Sequence, residues 1–163
     1  MKVFAVTGTN GKTTVSYMLR SILEAAEQKT ALVGTVIHDI GGTLYEVKNT
    51  TPGKQLLREY LQKCDALGIE NFVMEASSHA LDQGRTEDVG IAYAAFTNLT
   101  RDHLDYHETM EHYYAAKKKL FLYPSVKEAV LNIDDSYGRR LQSEIAAEGI
   151  NITTVSMQNK ESD

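Results

Sequence analysis

The chain of 163 residues is 42% apolar and 24% charged, which suits one folded domain with its own core and excludes a disordered or collagen-like polymer. Seventeen Lys and Arg against 22 Asp and Glu leave a net charge of −5, so nucleic acid gains little electrostatic help as a partner. The one cysteine, Cys64, excludes an internal disulfide and a cysteine zinc cage and suits a reducing cytoplasm, while no apolar run reaches the roughly 18 residues of a membrane span.

Taken in chain order, Lys2 to Thr7 is a predicted strand, and Val15, Met18, Leu19, Ile22 and Leu23 then recur at helical spacing behind a Gly-containing turn. Thr30 to Val36 is a second apolar run. Val36 to Val47 carries Gly41-Gly42 between two segments able to pair as a hairpin. Leu56, Leu57, Tyr60, Leu61, Cys64 and Leu67 form the stripe of another helix, closed by Gly68, and the stripe gives Cys64 a core role. Asn71 to Glu75 and Ala92 to Thr97 are predicted buried strands whose polar ends lie at a carboxyl edge, where open α/β sheets bind ligands. A helix over about 109–123, a strand over 129–133, a helix over about 135–147 and a strand over 152–155 complete the alternation. The predicted fold is α/β, a mainly parallel sheet with helices on both faces and a P-loop after the first strand. A polar, frayed tail is expected over 158–163.

The stretch Thr7-Gly8-Thr9-Asn10-Gly11-Lys12-Thr13-Thr14 joins the first strand to the first helix. There, successive backbone N–H groups and a helix N-terminus can surround an anion. Lys12 adds a point charge for β and γ phosphates, Thr13 offers a hydroxyl to a bridging Mg2+, and Gly8 and Gly11 admit close backbone approach. Val6 stands where the usual P-loop pattern has its first glycine, so the strand–loop–helix context carries the nucleotide reading.

Four further stretches accompany the loop. They are Asn49-Thr50-Thr51-Pro52, Met74-Glu75-Ala76-Ser77-Ser78-His79-Ala80-Leu81-Asp82-Gln83-Gly84-Arg85, Thr97-Asn98-Leu99-Thr100-Arg101-Asp102-His103-Leu104-Asp105-Tyr106-His107, and Tyr113-Tyr114-Ala115-Ala116-Lys117 leading on to Asn132-Ile133-Asp134-Asp135-Ser136-Tyr137-Gly138. In this order the chain resembles the Mur ligase family, the ATP-dependent amide-forming enzymes of peptidoglycan and folate-polyglutamate synthesis, and within it the UDP-N-acetylmuramoyl-tripeptide synthetases. The resemblance runs to about residue 155 and is to the family's central ATPase domain, here assigned to 1–157. It implies that the N-terminal uridine-nucleotide domain and the C-terminal ligase domain lie outside this sequence. A folylpolyglutamate-synthase-like ligase domain and a noncatalytic nucleotide-binding module are the competing readings.

The implied activity is ATP-driven formation of an acyl phosphate on a substrate carboxylate, followed by attack of an amino acid's amine. ATP and Mg2+ are the implied cofactors, with Gly8, Thr9, Asn10, Gly11, Lys12, Thr13 and Thr14 holding phosphate. Glu75 closes an apolar strand opposite the loop and is expected to hold Mg2+ together with Thr13. The resemblance implies that His103 supports a second Mg2+. The His103, His107 and His112 spacing also admits zinc, but Mg2+ and phosphate account for more of the sequence, leaving His107 and His112 as surface or supporting residues. Lys117 falls on the apolar stripe Met110, Tyr113, Tyr114, Leu120 and Phe121, where a charged amine is costly; such a lysine can lose its proton and take up CO2 as a carbamate, as the family does at this position. Lys118 and Lys119 read as solvated charge. The resemblance further implies that Asn49, Thr50, Thr51, Ser77, Gln83 and Arg85 contact UDP-N-acetylmuramoyl-L-alanyl-D-glutamate, and that the protein acts in the cytoplasm.

Overall fold

A computed structural model of the chain describes residues 1–158. Beyond its first residue, the expected polar tail lies outside the described residues. Eight strands form one sheet in the order β4-β3-β2-β5-β1-β6-β7-β8, with β1 at Lys2–Thr7, β2 at Thr30–Val33, β3 at His38–Ile40, β4 at Thr43–Tyr45, β5 at Asn71–Glu75, β6 at Tyr93–Phe96, β7 at Glu128–Asn132 and β8 at Asn151–Val155. All neighbours pair in parallel except β2 with β3 and β3 with β4. Gly41 and Gly42 both adopt positive φ, 63° and 86°, which is the turn geometry a tight hairpin demands.

The helices are α1 (Lys12–Ala25), α2 (Lys54–Ala66), α3 (Ser78–Asp82), α4 (Leu104–His107), α5 (Met110–Lys118) and α6 (Ser136–Ile145), with a 3₁₀ turn over Lys119–Leu122. Gly68 takes φ 64° just past α2, as a glycine stop should. The helices α3 and α4 were not foreseen. Each is about one turn long, too short to show a hydrophobic period. Ser77 starts α3 by accepting the Ala80 N–H, and the left-handed His103 (φ 50°) leads into α4.

Right-handed crossovers put α1 on one face of the sheet, against β1, β2 and β5, and α2, α5 and α6 on the other. The second face holds most of the core: Ala94, Phe96 and Leu131 from the strands meet Tyr113, Phe121 and Leu141. Cys64 is fully buried there, as its place on the α2 stripe predicts. The first face is less covered: among the helically spaced apolar residues of α1, Val15, Met18 and Ile22 are 36%, 61% and 66% exposed, and Ser16 is the buried residue of that helix. The cause is coverage: α1 lies over β2, β5 and β1, so its apolar edge and Tyr93 and Val130 flank a groove of about 370 Å³ left uncovered by the described residues. No helix among the described residues is long and apolar enough to cross a membrane.

Candidate active site

Four adjacent parallel strands, β2, β5, β1 and β6, end at the same carboxyl edge, and the loops that leave them carry almost every residue singled out above. The loop after β1 is shaped by Gly8 and Gly11. A Cβ on Gly8, whose φ is 147°, would lie 1.9 Å from Thr97 Oγ1, so only glycine fits. Gly11, at φ 85°, starts α1 without any side-chain cap, leaving the first-turn amides of a 14-residue helix free for an anion.

The loop is clamped from the end of β6. Asn10 N–H donates to Asn98 Oδ1 at 3.0 Å, Asn98 Nδ2 donates back to Asn10 O at 3.1 Å, and Thr97 Oγ1 donates to the same carbonyl at 2.6 Å. Thr9 N–H donates to Asn98 O, and Thr9 Oγ1 lies 3.2 Å from the Tyr113 hydroxyl. Lys12 Nζ curls back onto the carbonyls of Gly8 (2.9 Å) and Thr9 (2.8 Å). Burial lowers its pKa, while the nearby charges of Glu75 and Asp102 oppose that.

Lys117 is 1% exposed, as its helical position predicts. Its Nζ donates to Gly8 O at 2.8 Å and rests 4.6 Å from the centre of the Tyr113 ring. Burial, reinforced by the positive charge of Lys12, pushes its pKa well down. The flanking lysines behave differently: Lys118 pairs with Glu144 and Lys119 with Asp82 at the surface.

Glu75 is also 1% exposed, and its carboxylate is held at both oxygens by one residue. Thr35 N–H donates to Oε1 at 2.9 Å and Thr35 Oγ1 donates to Oε2 at 3.0 Å. Each oxygen keeps lone-pair capacity for a cation. Among the described residues, no three His, Cys, Asp or Glu side chains converge as a metal cage. A single buried carboxylate beside a phosphate loop, with the Thr13 hydroxyl near the head of α1, suits Mg2+, which takes one or two carboxylates and completes its shell from phosphates and water.

His103 stands at the start of α4, half exposed, with Asp102 Oδ2 3.6 Å from its Nε2. Its ring lies 5.0 Å from His79 and 6.0 Å from Tyr113, edge-on to both. His107 does not match a surface role: it is buried and stacked on Tyr113 at 5.1 Å. Burial, and then the charge of His79, lower the pKa of His107; burial and then His103 do so for His79. His112 is exposed.

The expected substrate residues gather beside Glu75. Thr51 Oγ1 donates to the Glu75 main-chain carbonyl at 2.7 Å and lies 3.2 Å from Ser77 Oγ, while Ser77 N–H donates to Thr51 Oγ1. Arg85 Nη1 donates to Thr51 O at 3.1 Å and its Nε to Gln83 Oε1 at 2.9 Å. Thr50 Oγ1 touches Thr35 Oγ1 at 3.1 Å. Asn49 is set apart from this group, lining a separate hollow of about 300 Å³ with His38 and Tyr60. Beside the phosphate loop runs a groove of about 450 Å³ lined by Asn10, Gly11, Val15, Thr97, Asn98 and Asn132.

Sequence reasoning missed Thr35, Asn98 and Tyr113 as members of the site. Asn98 lay inside a quoted motif and Tyr113 on a core stripe, but contacts spanning 88 and 104 positions left no local signal. For Thr35 the one available hint was its neighbour: a Cβ on Gly34 would fall 2.2 Å from Glu75 Oε1.

A family model described as the Mur ligase middle domain matches residues 6–163. The chain is 49% identical over 142 residues to a UDP-N-acetylmuramoyl-L-alanyl-D-glutamate–2,6-diaminopimelate ligase of Synechococcus elongatus, covering 86% of this chain and 29% of that protein. It is 42% identical over 160 residues to the ligase of the same name from Fusobacterium nucleatum, covering 98% and 33%. A solved ligase of that name superposes with a TM-score of 0.90 at 36% identity, covering 100% of this chain and 33% of that one. Escherichia coli FolC in complex with DHPP and ADP gives 0.63 at 18% identity, covering 94% and 42%, a likeness of fold alone. The chain thus spans about a third of the length of the curated relatives it matches.

Proposed function

Because the chain belongs to the Mur ligase middle-domain family, we propose that it is the ATP-binding part of a ligase adding the third residue to UDP-N-acetylmuramoyl-L-alanyl-D-glutamate in peptidoglycan synthesis. The relatives' names favour 2,6-diaminopimelate as the added amino acid. The observation that carries the reading is the meeting of two loops: Thr51, in the expected substrate loop, is bonded to Glu75, whose buried carboxylate faces the charge of Lys12 in the phosphate loop. Under this reading the protein acts in the cytoplasm, where ATP and the nucleotide-linked peptide meet.

Loop amides and the free first turn of α1 bind the phosphates, the nucleoside lies in the groove beside Asn98 and Asn132, and Lys12 exchanges its two carbonyls for phosphate oxygens. Thr50, Thr51, Ser77, Gln83 and Arg85 orient the acidic peptide so that its carboxylate oxygen faces the γ-phosphorus. That oxygen bonds to phosphorus as ADP leaves, and the incoming amine then displaces phosphate from the acyl carbon and loses a proton. Bound Mg2+ supplies neutralisation of phosphate charge, with Glu75 and Thr13 as its protein ligands and His103 serving a second ion. Lys117, buried and inclined to the neutral amine, is suited to take up CO2, forming an N–C bond and releasing a proton to give an anionic carbamate. Ligation requires the parts of the protein that the relatives carry beyond the matched third, since positioning accounts for about 7–11 kcal/mol of such a barrier.

Calorimetric titration with Mg-ATP tests the reading, with Lys12→Ala as control and a parallel titration of UDP-N-acetylmuramoyl-L-alanyl-D-glutamate. Binding of ATP that the substitution weakens at least tenfold supports it. A folded protein that binds ATP equally well with and without Lys12 overturns it.

A further inference from the structure

Thr35 lies in the loop after β2, exposed, in a stretch to which no role falls from the motifs. Its hydroxyl has one proton. That proton goes to Glu75 Oε2 at 3.0 Å, so the contact with Thr50 at 3.1 Å must be made by the Thr50 hydroxyl donating to Thr35. The Thr35 main-chain N–H meanwhile holds Oε1. One residue therefore fixes both oxygens of the carboxylate and orders the hydroxyl of the neighbouring substrate loop. The packing agrees: the carboxylate lies over Gly34 so closely that a Cβ there would sit 2.2 Å from Oε1. With its proton spent on Thr35, Thr50 is left with acceptor lone pairs only.

We propose that Thr35 is a positioning residue that aims the Glu75 carboxylate at the metal-nucleotide and ties that aim to the substrate loop through Thr50. The proposal rests on the reading of Glu75 as the metal-holding carboxylate. Partners that orient a metal ligand commonly govern metal affinity by about 10- to 100-fold. A threonine is well matched to this task, because its hydroxyl and its own N–H together reach both oxygens of one carboxylate while the hydroxyl still accepts from a third group.

The test is Mn2+ affinity, followed by electron paramagnetic resonance in the full chain saturated with a non-hydrolysable ATP analogue, for the parent protein and for Thr35→Val, Thr35→Ala, Thr35→Ser and Glu75→Gln. Metal-free affinity for the same analogue serves as the measure of intact fold. Thr35→Val and Thr35→Ala are expected to weaken Mn2+ binding about tenfold with metal-free affinity unchanged, and Thr35→Ser to restore it. Parent-like Mn2+ binding in Thr35→Val and Thr35→Ala, with Glu75→Gln defective, overturns the role of Thr35 alone. A Thr35→Ser protein as weak as Thr35→Val also overturns it, since the hydroxyl would then not be the operative group. Parent-like binding in Glu75→Gln overturns the reading of Glu75 and this proposal with it.

Discussion

Lys117 and Lys12 donate to one acceptor, the carbonyl oxygen of Gly8, at 2.8 and 2.9 Å. Two amines thus crowd a single backbone oxygen, one of them at the base of the site and nearly inaccessible to water. The arrangement costs stability for the sake of the site, and it sets up the first expectation.

Lys117→Met removes the buried amine without orphaning Gly8 O, which keeps Lys12. Because burial and Lys12 lower the native pKa of Lys117, folding expels its proton at any pH between that lowered value and the ordinary lysine range. The native state is therefore penalised most below its own pKa, and stability rises with pH through the window. In carbonate-free buffer the substitution should stabilise the protein at pH 7, with the gain shrinking toward pH 10. Urea denaturation of both proteins across that range checks it; a gain independent of pH would show that titration of Lys117 is not the cause.

Asn98→Ala should weaken nucleotide binding. It deletes both side-chain bonds to Asn10 while leaving Lys12, Gly8 and the first turn of α1 in place. Two half-exposed hydrogen bonds are worth about 1–2 kcal/mol together, so nucleotide affinity should fall about tenfold. Titration with ADP measures it, and unaltered affinity would mean that the loop holds its shape without the clamp.

Cys64 should be chemically silent in the folded protein. It is fully buried on the α2 stripe, and burial, aided by Asp65, pushes its thiol up to about 11. Since the thiolate is the reactive form, labelling by an aromatic disulfide at pH 8 should proceed only as fast as the protein opens. Labelling that keeps its rate when a tight nucleotide is added would contradict this.

Glu144 contributes to the acid limb of stability. Bonds from Lys118 and then Arg140 hold its carboxyl down at about 2, below an ordinary value of 4.5. A depressed native pKa adds stability above the unfolded value and surrenders it as the pH falls from about 4.5 to about 2. Glu144→Gln should therefore be less stable than the parent at pH 7 and indistinguishable from it near pH 2, as thermal melts at the two pH values would register. An equal deficit at both would point to lost packing instead.

How far the sequence foretold these features depended on how local their causes are. β5 was legible to the residue because Asn-Phe-Val-Met-Glu is an apolar run with a polar end, and Lys117 could be placed inside because a 3.6-residue period says which side chains turn inward. The same period groups Val15, Met18 and Ile22 on one stripe of α1, yet the structure leaves Met18 and Ile22 exposed; periodicity tells which residues share a stripe and not whether anything covers it. The phosphate loop announced itself through glycines and a lysine in eight consecutive residues. Thr35 did not, since a threonine near the end of the apolar run Thr30 to Val36 looks alike whether or not a glutamate forty positions away folds over it.

The strand β1 sits between partners from far down the chain, Lys2 opposite Asn71 and Phe4 opposite Tyr93. Its loop is finished only when Thr97 and Asn98 arrive with the second of these partners. Such long-range closure is slow relative to helix formation. During synthesis the nascent chain can therefore coil α1 early and still lack the clamped phosphate loop until β6 has docked. First capture of nucleotide would mark the moment when the centre of the sheet is assembled, and the ligand, by binding that state alone, would act as a latch on the finished fold.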